Sequence, residues 1–262
     1  MKYCYIFIVL FISSSRIFSQ ETSVESNFKK VNNLSWKIAM DDDFTKPWQQ
    51  HWFMDGEMSY IIQNKKSIDY YAGKEAYNDA GHTVLWTKKK FSGAIKIEYD
   101  FTRIDSSSLG VNILYVLATG SGKKPYEKDI YKWKELRKIP TMATYYNHIN
   151  TYHISYAAFS FNDGEPQYIR ARRYIPETKK GLKETALKPE YKNNGLFATG
   201  EKHQITVIKK DSTIYMKVEN LTQTRLFWFD TSSFPNLKSG RIGLRQMWTR
   251  ASTYANFKIY EL

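Results

Sequence analysis

From Ala94 to Phe101 the chain reads Ala-Ile-Lys-Ile-Glu-Tyr-Asp-Phe, apolar and charged residues alternating without a break. Side chains alternate across a strand, so this order suits a half-buried β-strand and no helix. The pattern recurs in short runs. Val111–Leu117 is nearly all apolar, as a central sandwich strand is. His203–Lys209 and Thr213–Val218 flank Lys210-Asp211-Ser212, a hairpin signal. Leu226–Phe229, Arg241–Leu244 and Tyr254–Tyr260 continue the series. Asn162-Asp163-Gly164 and Asn193-Asn194-Gly195 read as turns. Many short strands with such punctuation predict an all-β sandwich or jelly roll.

One short helix is expected in a loop, over Glu127–Lys138, where Ile130, Trp133 and Leu136 recur at near-helical spacing and Pro140 limits extension. Pro166–Asn194 reads as a second long irregular stretch. Neither an internal repeat nor a low-complexity linker interrupts the chain.

Residues 1–19 are expected to be a cleavable signal peptide. Lys2 supplies the positive start, Tyr5–Ile12 the short apolar run, and Ser19 a small residue before Gln20. The one cysteine, Cys4, lies inside this segment, so the mature chain is expected to form no disulfide and no cysteine metal site. Residues 20–262 then form a single secreted or periplasmic domain without a membrane span. The formal charge is +13, and removing Lys2 and Arg16 leaves +11. A secreted basic protein suits polyanions. Outside the cell these are acidic polysaccharides or oligosaccharides rather than nucleic acid.

The segment Thr144–Tyr156 carries four tyrosines, two histidines and two asparagines in a run that otherwise reads as strand. Burying so many polar groups is costly unless each finds a partner, and lining a cleft explains them. Period two puts Tyr146, His148, Asn150, Tyr152, Ile154 and Tyr156 on one face, taken as the cleft lining. Tyr145, Asn147, Ile149, Thr151, His153 and Ser155 fall on the other. Tyr168–Tyr174 places Arg170 and Arg172 on one face with Tyr168 and Tyr174; arginine forks bind carboxylate or sulfate. Arg245 alternates with Ile242 and Leu244, next to Gln246, and a core-like arginine needs an acidic or ligand partner. His82 opens another apolar strand. Serine-nucleophile, phosphate-loop, dinucleotide and paired-histidine zinc motifs are absent from the sequence.

These residue types suit β-elimination on a uronic acid. A histidine or tyrosine takes the C5 proton and another protonates the leaving oxygen. Arginine, asparagine, glutamine or histidine neutralises the carboxylate beside the developing charge. The reaction needs no metal and no cofactor. Candidate bases are His153 and Tyr152, and candidate acids Tyr156 and His148. Asn150, Arg172 and Arg245 are expected to bind the carboxylate, with Arg170, Gln246, His82 and Tyr146 as further substrate contacts. Asp41–Asp43, Asp79 and Glu98 are too scattered to suggest the paired carboxylates of a glycosidase.

Three pieces, Asp79–Trp86, Asn150–Tyr156 and Gly243–Met247, resemble the YesU-like family, a domain of unknown function with a concanavalin-like jelly-roll fold. The resemblance runs from about Asp42 to the C-terminus. Members tend to lie among genes for degrading pectin or ulvan. It implies a lyase, or a dehydratase that removes water from a terminal uronate. His148 departs from the acidic residue expected there. The resemblance therefore favours His153 as the working histidine, whereas the face argument favours His148. A non-catalytic carbohydrate-binding module is the principal rival reading, and a glycoside hydrolase of the same fold is the other.

Overall fold

The computed structural model describes residues 23–159, 167–178, 182 and 184–262. The expected signal segment, Cys4 and the Asn162-Asp163-Gly164 turn lie outside the described residues. The chain divides into two compact units, Met1–Trp36 and Lys37–Leu262. In the first, residues 23–32 are helical (α1), and Trp36 Nε1 donates to the Val31 carbonyl at 3.0 Å.

The second unit holds two eight-stranded sheets. One runs β14 (Thr224–Asp230), β13 (Thr213–Glu219), β12 (Lys202–Lys210), β7 (Ile95–Arg103), β16 (Ala251–Glu261), β4 (Ser67–Tyr71) and β3 (Tyr60–Gln63), with β1 (Lys37–Asp42) also pairing β16. The other runs β11 (Tyr191–Lys192), β10 (Tyr168–Tyr174), β9 (Ile149–Ala158), β8 (Asn112–Gly120), β15 (Ser239–Gln246), β5 (Thr83–Thr87) and β2 (Trp52–Asp55), with β6 (Phe91–Ser92) also pairing β15. Their pairings are antiparallel. The fold is the β-sandwich that the alternation predicts. The β12–β13 hairpin turns through Asp211-Ser212, with Asp211 at φ +48, the positive φ that a two-residue hairpin loop favours.

The sandwich core lies between the sheets. Ile97, Tyr99 and Phe101 of β7 meet Leu114 and Val116 of β8, Tyr152, Ile154 and Tyr156 of β9, and Leu244 of β15. A second apolar cluster covers the outer face of the second sheet, where Val84, Trp86, Ile113, Tyr115 and Tyr174 meet Ile130, Trp133 and Tyr145. β8 is therefore covered on both sides, which is why it reads as an unbroken apolar run.

Two segments supply that cover. Ile130–Arg137 is 3-10 rather than α, capped by Asp129, whose Oδ1 accepts from Tyr131 N at 3.1 Å. A kink at Trp133 (φ −121, ψ 31) breaks the expected spacing: Leu136 is 49% exposed and Arg137 takes the buried place. Met142–His148 is helical (α2), not strand. Thr141 caps it, its hydroxyl accepting from Thr144 N at 3.3 Å. The polar segment is thus a helix followed by a strand, and period two applies only from Ile149 onward. The β9 irregularity comes later, at Ala157 (φ +43), and leaves the Thr151–Tyr156 alternation intact.

Candidate functional site

Directly opposed residues in antiparallel strands share a face, so register assembles the site. One row runs Arg172 (β10), His153 (β9), Tyr115 (β8), Gly243 (β15) and Trp86 (β5). The next runs Arg170, Ser155, Ile113, Arg245, Val84 and Asp55. Gly243 is required in the first row: a Cβ there would meet the Trp86 ring at 2.4 Å. Its absence lets Trp86 lie across β15 and stack on Tyr115, with centroids 5.3 Å apart. Tyr145 of α2 stacks on both, at 6.4 Å from Trp86 and 5.8 Å from Tyr115.

His153, 4% exposed, stands on this aromatic floor. Its Nδ1 is hydrogen-bonded to the Tyr174 hydroxyl and its Nε2 to Ser155 Oγ at 2.7 Å. Burial pushes the imidazole well below its ordinary value, and the fields of Arg172, Arg245 and Arg170 push it the same way. It is neutral near pH 7, one ring nitrogen donating and the other accepting. Burial also raises the Tyr174 phenol well above 10. Tyr115 is pushed up to about 12 by burial, against the opposing pull of Arg245.

Arg245 is fully buried. Its Nη2 donates to the Pro140 carbonyl at 2.6 Å, and its guanidinium lies 4.5 Å over the Tyr145 ring. Arg245 Nε, Arg245 Nη1 and the Tyr115 hydroxyl are buried and make no hydrogen bond of ordinary geometry among the described residues, although Arg245 lies close enough to Tyr115 to draw its phenol downward. Unmet donors on a buried cation, on the face that also carries the neutral imidazole and the phenol, are chemistry that a carboxylate would satisfy. Asp55 does not fill that role. Its Oδ2 accepts from Arg137 Nε at 2.5 Å, Trp86 Nε1 at 2.7 Å and the Tyr145 hydroxyl at 2.8 Å, which fastens the cover to the sheet. At the β10 side, half-buried Arg170 pairs with Glu190 at 2.5 Å, and Arg172 donates to the Leu182 carbonyl.

The structure thus brings His153, Arg170, Arg172 and Arg245 to one face, with Tyr146 of α2 edge-on to Tyr174 at 6.5 Å. His82 lies at its border. Its Nε2 is 3.2 Å from Asp79 Oδ1, and its ring, 6.2 Å from Trp248, is driven to a pKa of about 2 by burial and then by Arg245.

The face sorting taken from the sequence is reversed. Tyr152 and Tyr156 point into the sandwich core, where Tyr152 donates to Asn236 Oδ1 at 3.1 Å and Tyr156 meets the Tyr254 hydroxyl at 3.1 Å. Gln246 also points inward, donating to the Tyr70 carbonyl at 2.9 Å. Asn150 is held between Glu177, at 2.7 Å, and Arg173, at 2.8 Å. His148, at the end of α2, stacks on Tyr126 with centroids 3.5 Å apart. These five stand apart from His153. The sequence reading missed Tyr115 and Asp55 altogether, and it placed Ser155 with His153 and Tyr174 with the arginines without giving either a role. Once β9 and β10 pair through His153 and Arg172, Tyr174 falls beside the imidazole.

Of the scattered carboxylates, Asp79 reaches the border through His82, and Asp41–Asp43 lie elsewhere. Asp41, Asp42 and Asp43 line a cavity of about 520 Å³ with His51, Asn256 and Lys258, and Asp42 is engaged by Trp52 Nε1 at 2.7 Å. Among the described residues no three His, Cys, Asp or Glu side chains group to hold a metal ion. None of the described helices is long and apolar enough to cross a membrane.

A family model described as Domain of unknown function (DUF1961) matches residues 44–259. No protein of curated function matches the chain. Among solved structures, a protein of unknown function with a galectin-like fold from Bacillus subtilis is similar over 86% of this chain and 97% of that one (19% identity, TM-score 0.63). The VIP36 exoplasmic/lumenal domain, solved in a Ca2+/Man3GlcNAc-bound form, is similar over 87% and 90% (10% identity, TM-score 0.56). The lectin UEA-II, solved with galactose, is similar over 86% and 99% (7% identity, TM-score 0.54). The sandwich is thus of the lectin and galectin type.

Proposed function

The chain belongs to the family described as Domain of unknown function (DUF1961), and on that footing we propose that it binds a terminal uronate of an acidic oligosaccharide on the outer face of its second sheet and dehydrates it by β-elimination. The unsatisfied Nε and Nη1 of buried Arg245, two strands from a neutral His153, carry this reading. The guanidinium receives the carboxylate, with Arg172 and Arg170 adding positive field. His153 takes the C5 proton. The C5–H electron pair becomes the C4=C5 bond, the C4–O bond breaks, and the departing oxygen takes the Tyr174 proton to leave as water. The proton on His153 then returns to Tyr174 through the bond that joins them. Atoms and electrons balance without a co-reactant, and the guanidinium, by neutralising the carboxylate, lowers the cost of negative charge developing on C5. The carboxylates on this face are engaged, Asp55 by three donors and Glu190 by Arg170, which speaks against hydrolysis by a free carboxylate pair.

Resemblance to YesU-like proteins, found among genes for degrading uronate polysaccharides, supports a pectin- or ulvan-type substrate and favours loss of water over chain cleavage. A secreted or periplasmic location, from residues 1–19, fits encounter with such a polymer. Non-catalytic binding is the second reading, favoured by neighbours whose names state bound galactose and Man3GlcNAc. Incubation with ulvan, pectin and alginate fragments separates the two. Rising ultraviolet absorbance of an unsaturated uronate supports elimination, and affinity without absorbance supports binding alone.

A further inference from the structure

His153 and Ser155 stand two residues apart on β9, and so on one face, inside the piece Asn150–Tyr156 that the sequence singles out. Ser155 is 5% exposed, and its Oγ lies 2.7 Å from His153 Nε2. The proposed elimination needs the two ring nitrogens to do different work. Nδ1 faces the Tyr174 hydroxyl, so Nε2 is the nitrogen left to meet C5–H. Which nitrogen carries the proton at rest is set by the bond that the other makes.

The surroundings of Ser155 decide it. Strand register sets Ser155 between Arg170 and Ile113, with Arg245 next in the row. A guanidinium donates and never accepts, and an isoleucine side chain does neither. The field of the two guanidiniums turns the serine oxygen toward them and its proton toward Nε2. Tyr174 is placed differently. It has a phenol beside it, Tyr115, with centroids 6.4 Å apart, and a phenolic oxygen accepts as well as donates.

We propose that Ser155 is a positioning residue whose hydroxyl donates to Nε2 and thereby holds the His153 ring in its Nδ1–H form. Nε2 then carries the lone pair that takes the C5 proton once the sugar displaces the serine proton. Nδ1–H is already aimed at the Tyr174 oxygen that it has to reprotonate. The ring is left as Nε2–H, and proton exchange with water returns the Nδ1–H form. The inference rests on the elimination reading and adds which nitrogen does which task and what sets the choice.

Nitrogen-15 NMR of the whole protein, labelled at histidine, reads the tautomer without turnover, and His153→Gln identifies the signal among the five histidines. Near pH 7 the unaltered chain is expected to show a protonated Nδ1 and an unprotonated Nε2. Ser155→Ala is expected to move the ring toward the Nε2–H form and to lower kcat by about tenfold or more, with saccharide affinity within about twofold. Ser155→Thr keeps the hydroxyl and is expected to restore the tautomer and most of kcat. An Nε2–H ring in the unaltered chain, a tautomer unmoved by Ser155→Ala, or a moved tautomer with unchanged kcat overturns the positioning role. Equal loss of kcat in Ser155→Ala and Ser155→Thr overturns it too. Absence of turnover in the unaltered chain overturns the elimination reading instead, and the spectrum still decides the tautomer.

Discussion

The Nδ1 of His153 is hydrogen-bonded to the hydroxyl of Tyr174 across the β9–β10 pair, and both groups are buried on the outer face of the second sheet. Each holds the other in one orientation. Burial depresses the imidazole and raises the phenol, so at neutral pH the pair is an uncharged base beside a proton donor. Replacing Tyr174 by Phe keeps the ring and removes the proton. We expect Tyr174→Phe to lower kcat by about 10²–10⁴-fold with little change in saccharide affinity. Steady-state kinetics beside calorimetric affinity check this.

Tyr152→Phe and Tyr156→Phe give the opposite expectation. Both hydroxyls bond within the sandwich core, to Asn236 and Tyr254. Each substitution should cost about 1 kcal/mol of stability, read by urea denaturation, and leave turnover nearly unchanged. A large loss of turnover in either would restore the face sorting read from the sequence.

That reversal shows what the sequence carried and what it hid. Alternation in Ala94–Phe101 sufficed for β7, and the short runs sufficed for a sandwich, because one face of each strand has to be apolar. The polar segment misled for two reasons. Pro140 and Thr141 start a helix that consumes Tyr145 to His148, a local signal outweighed by the tyrosines. In β9 the larger tyrosines fill the core, where their hydroxyls find partners, whereas His153 and Ser155 face a second buried layer. Which face meets that layer depends on the long-range register Arg172–His153–Tyr115, and no local pattern encodes it. The resemblance, rather than the period, pointed to His153.

Arg245 is buried at a cost to stability. A buried guanidinium with two unmet donor atoms costs free energy, and replacing such a group with an apolar one of similar length is often neutral or stabilising. Arg245→Met should unfold within about 1 kcal/mol of the unaltered chain, or above it, while saccharide affinity falls by about 10²-fold or more. Denaturation and calorimetry of one preparation test both halves.

Asp55 carries the reverse balance. Asp55→Ala leaves Arg137 as a buried unpaired cation and orphans Trp86 Nε1 and the Tyr145 hydroxyl. It should destabilise the protein by about 3–5 kcal/mol. Adding Arg137→Met should recover part of that loss, and a double-mutant cycle measures the coupling.

Stability should also fall on mild acidification. His153 and His82 are both held below 6.5 when folded, His82 at about 2, whereas the unfolded imidazole titrates near 6.5. Between these values the unfolded chain binds more protons, so stability rises with pH. The contribution is complete above about pH 7 and is lost as pH drops below 6.5, with a limiting slope of about 1.4 kcal/mol per pH unit for each imidazole. Urea midpoints at pH 7, 6 and 5 should fall in that order with unchanged m-value. A flat series would mean that neither imidazole is buried neutral.

Mass spectrometry of a uronate-terminated oligosaccharide, incubated with the unaltered chain and with His153→Gln, tests the central claim most directly. The account predicts a product lighter by one water, with chain length unchanged, from the unaltered chain, and none from a folded, saccharide-binding His153→Gln. Unchanged substrate despite measurable binding, or equal product from both proteins, would contradict it.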